Sequence, residues 1–298
     1  GEQVNLTKAL VADYKLTTDE ERYGVEAQRN WSFYEGRGRL VVGAAYTEER
    51  VDSWDEELGR QTVVWEPLES NRQAVFSQFD WRANEHIQLV FAGRVDESTL
   101  HDTQFSPKAS LVYGFTPNHT LRLTYNEAFQ VPNYSELFLR VPAGARTPTC
   151  PGLAALAGGG PLGLTSIPFL ALGNDNLEVE EITNYEVGYT GILSSKLYLT
   201  VDYYQAEVTN FVTDLLPGVN PQFTPYAPPS FLPANAQALI LGTLRGGLGP
   251  VNFAGLVDLA GNNRPTLVFS YANAGTVDTE GVDIAFNYYI TGSWIADF

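Results

Sequence analysis

The sequence predicts an all-β protein, an antiparallel transmembrane β-barrel wall, and three observations predict it. About ten runs of about ten residues alternate apolar with polar side chains, the period of a strand with two different faces. The connections between runs alternate tight with long, which gathers long loops on one end and tight turns on the other. The 298 residues also hold 16 Tyr, 16 Phe and 5 Trp, the rings with which a barrel marks its two membrane interfaces.

Taken in order, the first hairpin pairs Leu10, Ala12, Tyr14 and Leu16 with Tyr23, Val25, Ala27 and Trp31 across an acidic connection at Thr18 to Glu21. A turn at Tyr34 to Gly38 leads to a strand carrying Leu40, Val42, Ala44 and Tyr46 outward, then to a long polar loop from Val51 to about Ser70. The return strand carries Val75, Phe79 and Trp81, and a tight turn at Arg82 to Glu85 starts Ile87, Leu89, Phe91 and Val95. After a loop from Glu97 to Gln104 comes the clearest hairpin: Leu111, Tyr113 and Phe115, a Thr116-Pro117-Asn118-His119 turn, then Leu121, Leu123 and Tyr125. Lys108, Ser110, Gly114, Arg122, Thr124 and Asn126 fall on the opposite face. Outward residues meet lipid and inward ones a polar lumen.

A long connection, about 129–180, holds Pro142, Pro148, Pro151, Pro161, Pro168 and the Gly158 to Gly160 run, a density that excludes a continuous strand. Tyr185, Val187 and Tyr189 then pair through a Leu193-Ser194-Ser195 turn with Leu197, Leu199, Val201 and Tyr203. A second long loop, about 213–270, is again proline-rich. Val282, Ile284, Phe286 and Tyr288 form the last complete strand, and a turn at Thr291 to Ser293 opens another at Trp294 to Phe298. Without a methionine, and with a strand too short to span a bilayer at its end, the chain reads as a barrel segment incomplete at both ends.

Composition narrows the function. A net charge of -17 repels nucleic acid phosphates. The acidic runs at Thr18 to Glu21 and Asp52 to Glu57 read as solvated loop faces. The single Cys150 allows no intrachain disulfide and no cysteine zinc site; it is an unpaired loop thiol or has its partner outside these residues. His86, His101 and His119 share no metal-ligand spacing, His101-Asp102 reads as an exposed loop pair, and no nucleophile and base assemble into an active site, so neither a metal, a cofactor nor an enzyme is expected.

Two segments resemble a known family. Phe105-Ser106-Pro107-Lys108-Ala109, followed by Tyr125-Asn126-Glu127-Ala128-Phe129-Gln130-Val131-Pro132 and Glu136-Leu137-Phe138, is similar to the strand-turn-strand and following loop of TonB-dependent outer-membrane receptors. Gly173 to Glu178 with Tyr185-Glu186-Val187-Gly188-Tyr189 is similar to their later Asn-Pro-Asn-Leu segment. Gln130 replaces a usual basic residue, and Asp175 and Val179 replace usual prolines. The resemblance implies about ten strands of a presumed 22-stranded barrel, set in the bacterial outer membrane as a multi-pass β-barrel. It implies active uptake of a siderophore, cobalamin or oligosaccharide-like ligand, driven by the TonB-ExbB-ExbD complex through a plug domain that these residues do not include. Alone, such a segment should neither close nor import. A passive porin-type channel and a soluble β-rich binding module are the alternatives.

Binding residues are expected on the two long loops, since connections on a rigid scaffold carry recognition. Tyr134, Phe138, Arg140 and Arg146 in the first loop and Phe223, Tyr226, Phe231 and Arg245 in the second offer aromatic packing and charge to a ligand.

Overall fold

The computed structural model describes residues 16–146, 162, 164, 166–219, 223–291 and 294–297. The predicted strand at Leu10 to Tyr14, Cys150, the Gly158 to Gly160 run, the turn residues 292 and 293, and Phe298 lie outside them.

Ten strands form one antiparallel sheet laid out in chain order, each strand pairing with the next strand of the sheet along the chain. They are β1 (Asp19–Phe33), β2 (Gly38–Asp52), β5 (Leu68–Arg82), β6 (Ile87–Ser98), β7 (Gln104–Thr116), β8 (His119–Gln130), β11 (Glu180–Ser194), β12 (Leu197–Thr209), β16 (Thr276–Thr291) and β17 (Trp294–Asp297). Where the connection is short, a hairpin leaves the returning strand no other partner. No described helix is long and apolar enough to cross a membrane, which leaves crossing by strands open.

Register converts alternation into two faces. One row across nine strands reads Phe33, Gly38, Trp81, Leu89, Leu111, Leu123, Val187, Tyr203, Val282. One residue along, and therefore on the opposite face, the row reads Ser32, Arg39, Asp80, Val90, Ser110, Thr124, Glu186, Tyr204, Gly281. A soluble sheet would bury the first row against a second layer, yet Val25, Phe91 and Ile284 stand 65%, 51% and 63% exposed. A continuous apolar face of that extent belongs in lipid.

Aromatic rings mark the turn end of this face. Phe33 stacks on Phe79 and Phe79 on Trp81 at 6.1 and 6.2 Å, with Tyr34 edge-on to Trp81. Further along, Phe115, His119 and Tyr189 stack in series. On β2 the outward residues run from Leu40 to Tyr46, about 20 Å at ~3.3 Å per residue, before Glu48 and Arg50 end the apolar band.

Turns at 34–37, 83–86, 117–118 and 195–196 share one end, and the connections 53–67, 99–103, 131–179 and 210–275 share the other. Two details depart from the sequence reading. Asp19, Glu20 and Glu21 do not form a loop; they continue β1 and pair with Asp52, Val51 and Arg50 of β2. Carboxylates beyond the apolar band sit in water whether the backbone is extended or looped, so composition could not place the strand end.

The long connections are also not unstructured. They hold β9 (Arg140–Arg146), β10 (Ile167–Leu172), β13 (Leu216–Pro217), β14 (Leu256–Val257) and β15 (Thr266–Ser270), with helices α1 (Tyr134–Phe138) and α2 (Ala234–Ala254). These strands make a second sheet in the order β13-β15-β10-β9, with β14 also on β15. β10 and β15 come from different loops and pair in parallel, Phe169 with Leu267 and Ala171 with Phe269. Proline is tolerated because it sits where a ladder bond is dispensable: Pro217 on the edge strand β13 and Pro142 beside a register shift in the β9–β10 pairing.

The largest buried cluster lies in this cap rather than in the wall. Ile240, Leu244 and Leu248 of α2 pack with Ile167, Tyr226, Leu256, Leu267 and Phe269. The i, i+4, i+8 spacing puts the three helix residues on one stripe, and Gly249 (φ 80°) before Pro250 kinks the helix where the stripe ends.

Candidate functional site

The candidate site is the outer rim, where the cap meets the wall. Its base is a small hairpin of β3 (Trp54–Asp55) and β4 (Arg60–Gln61). Ser53, fully buried, gives its backbone N–H and hydroxyl to Gln61 Oε1 at 3.0 and 2.7 Å. Its Oγ in turn accepts the N–H groups of Val63 and Val64. Asp55, expected in water, is buried instead at 2% exposure. It accepts from the Thr17 hydroxyl and from the N–H groups of Glu57 and Leu58, so its charge is spent on holding a turn. Gln61 Nε2 donates to Asp52 at 3.0 Å, and this bond, with the N–H of Trp54, holds the Asp52 carboxyl below its ordinary pKa against the opposing effect of burial.

The first long loop enters through α1. Asn133 and Glu136 form a reciprocal capping box, Asn133 Oδ1 accepting from Glu136 N at 2.9 Å and Glu136 Oε2 from Asn133 N at 2.8 Å. The helix carries Tyr134 to the inner face, where its hydroxyl meets Ser70 and donates to Glu49 at 3.2 Å, a pair of residues that register places opposite one another. Burial raises the Tyr134 pKa, so the phenol stays a donor. Phe138 packs on Tyr134 at 6.5 Å between centroids. Leu139 then bridges to Val64, and Arg140 N donates to Val63 O at 2.8 Å, fastening the two loops together. The Arg140 guanidinium lies over the Trp65 ring, 3.0 Å from its centroid.

In the second loop, Tyr226 belongs to the cap core, and its hydroxyl is buried without a hydrogen-bond partner among the described residues. Burial, with the charge of Asp258 adding, pushes its pKa up to about 12. Phe223 packs beside Leu172, Val257 and Val268. Phe231 is 77% exposed, and Arg245 is exposed on α2. Arg146 ends β9 opposite Ile167, its side chain lying outside the described residues. Of the eight residues, the seven with described side chains separate: Tyr134, Phe138 and Arg140 gather at the rim, Phe223 and Tyr226 pack the cap, and Phe231 and Arg245 stand at its surface.

Sequence reasoning passed over Trp54, Trp65 and Arg60, which share a cleft with Arg140. Two exposed tryptophans in a polar loop were the available signal. It also passed over the inner wall, where Arg122 pairs with Glu186 and, at 3.0 Å, with Asp202 across three strands. Gly188 makes room for that bridge, since a Cβ there would overlap the Asp202 carboxylate. Nor is His101 the exposed group expected: its ring packs on Phe129 at 5.2 Å, Nδ1 meets the Asp102 carbonyl, and Nε2 is buried. No group of three His, Cys, Asp or Glu able to hold a metal occurs among the described residues.

Comparison with known proteins agrees with this geometry. The siderophore receptor PirA from Pseudomonas aeruginosa superposes with a TM-score of 0.60 at 14% identity, over 94% of this chain and 42% of that one. A G324V mutant of the ferric enterobactin receptor PfeA, also from Pseudomonas aeruginosa, gives 0.63 at 16% identity, over 94% and 35%. The FrpB iron transporter from Neisseria meningitidis gives 0.55 at 11%, over 94% and 34%. The chain thus spans less than half the length of these structures, and at such identities the likeness is one of fold. No curated protein sequence matches. The model of the TonB dependent receptor-like β-barrel family matches residues 4–297, and the chain belongs to that family.

Proposed function

We propose that this chain is part of the wall and outer rim of an outer-membrane receptor that captures a scarce ligand at the cell surface and imports it with energy relayed by TonB-ExbB-ExbD. The relay would act through a plug domain carried outside these residues. The carrying observation is a wall with one apolar and one polar face, whose long loops fold into a cap with its own core, in a chain of this receptor family. The ligand is a siderophore, cobalamin or oligosaccharide-like molecule. The structurally similar proteins named as siderophore receptors and an iron transporter favour the first of these.

The rim is the proposed capture surface, with Tyr134, Phe138 and Arg140 presented by α1 and β9. Deletion of the gene should abolish high-affinity uptake of the cognate ligand, and loss of TonB should abolish it equally. Uptake that persists without TonB would instead assign a passive porin, and protein recovered in the aqueous phase without detergent would remove the membrane reading altogether.

A further inference from the structure

The cleft between the β3–β4 hairpin and the cap sheet has a volume of about 510 Å³, within the range of small-molecule sites. Its lining includes Trp54, Trp65, Arg60, Arg140, Leu170 and Leu259 and, among the described residues, no carboxylate. That is unusual for this chain, in which 35 acidic residues outnumber 18 basic ones. The Arg140 guanidinium carbon lies over the Trp65 ring, 3.0 Å from its centroid, a contact made through the π-face of the indole that does not use up the guanidinium N–H donors. Among the described residues no carboxylate pairs with Arg140 or Arg60. Trp54 and Trp65 remain 52% and 59% exposed, so two indoles stand open beside two cations.

We infer that this cleft binds a ring-bearing carboxylate. The carboxylate takes the free edge of the Arg140 guanidinium in a bidentate pair, Arg60 adds a second positive charge, and the ring lies against an indole face. Both an aromatic acid and a sugar acid have this chemistry. Leu170 and Leu259 supply the apolar floor that a small flexible carboxylate could not use. The hairpin is suited to holding the site open, because the Ser53–Gln61–Asp52 bonds fix it without any ligand. The inference rests on reading the rim as the capture surface.

The test is equilibrium binding to the protein extracted in detergent from its native membrane, followed by tryptophan fluorescence, with benzoate, glucuronate, acetate and neutral benzamide as probes. Benzoate or glucuronate should saturate, and the tighter of the two identifies the aromatic or the sugar source; acetate and benzamide should bind at least about tenfold more weakly. Arg140→Gln should lose about tenfold or more in affinity, and Trp65→Leu should weaken binding while leaving the Trp54 signal as reporter. Benzamide binding as tightly as benzoate, Arg140→Gln binding unchanged, or neither ring acid saturating would overturn the inference. Binding is read without transport, so the two proposals fail separately. Saturable binding in a protein that imports nothing sinks only the uptake reading, and TonB-dependent import by a protein blind to both ring acids sinks only this one.

Discussion

Leu244→Ala should loosen the cap and leave the wall intact. Leu244 is fully buried at the centre of the α2 stripe, among Ile240, Leu248, Leu256 and Leu267. Truncating a leucine so placed costs about 3 kcal/mol, the lost transfer energy plus the cavity left behind. If the cap opens as its own cooperative unit, the whole cost appears in its local opening equilibrium, a rise of roughly a hundredfold at 1.4 kcal/mol per decade. Hydrogen exchange followed by mass spectrometry on the membrane-extracted protein resolves this. Peptides covering Val268 and Phe269 of β15 should exchange about a hundredfold faster, while peptides covering Leu123 of β8 and Val187 of β11 keep their protection. Equal acceleration in wall and cap would refute the separation, and unchanged cap exchange would refute the core assignment of Leu244.

Tyr226→Phe removes a buried hydroxyl that has no partner among the described residues and should slow cap exchange by an amount equivalent to about 1 kcal/mol or more. The Tyr226 pKa is raised to about 12, so its contribution is fully present below the ordinary tyrosine value of about 10 and is lost as pH rises toward 12. The wild-type cap should weaken over that window, and the variant should weaken less; identical alkaline profiles would count against the burial. Asp52 has a lowered pKa, so its support for the β3–β4 hairpin is present above about pH 4 and lost as pH falls through the folded value. Emission of Trp54, isolated by subtracting a Trp54→Phe variant, should change below about pH 4, and a transition centred above pH 5 would assign it to another group. Gly173→Ala should destabilise the cap junction by about 2 kcal/mol or more, because a Cβ there meets the backbone of Leu137 and Phe138. Gly188→Ala meets only the movable ends of Asp202 and Arg122 and should cost less, so the reverse order of folded yields would contradict the packing.

The wall was readable because each of its strands carries its own signal. Leu111, Tyr113 and Phe115 against Ser110 and Gly114 specify a face without knowledge of any partner, and Trp81 to Val282 then align in one row because hairpins fix register. The cap carries no such local signal. β10 is six residues long and its partner β15 lies about 100 residues away, too short for alternation and too distant for a turn rule. Pro142, Pro168 and Pro217 argue locally against strands that tertiary pairing nevertheless builds, with Pro217 on an edge strand, Pro142 beside a register shift and Pro168 just ahead of the β15 pairing. α2 did have a readable stripe in Ile240, Leu244 and Leu248, but Gly242, Gly246, Gly247 and Gly249 mask it in any count of helix formers. At the rim, Tyr134, Phe138 and Arg140 were legible as aromatic and basic loop residues. The cleft was not, because Trp54 and Arg140 are brought together by contacts between distant loops, Leu139 with Val64 and Arg140 N–H with Val63 O.

The parallel pairing of β10 with β15 also sets an order of assembly. Each loop begins and ends on a registered pair of the wall, Gln130 with Glu180 and Thr209 with Thr276. Before those strands zip, joining the loops means closing two long, independent rings of chain; afterwards both pairs of ends are already held together, and most of that entropy has been spent. Joining β10 to β15 therefore costs least once β8, β11, β12 and β16 stand in register beneath it, so the loop pairing is expected to follow the wall. A probe that recognises only the paired β10–β15 surface would report chains whose cap is complete and pass over every wall that slipped.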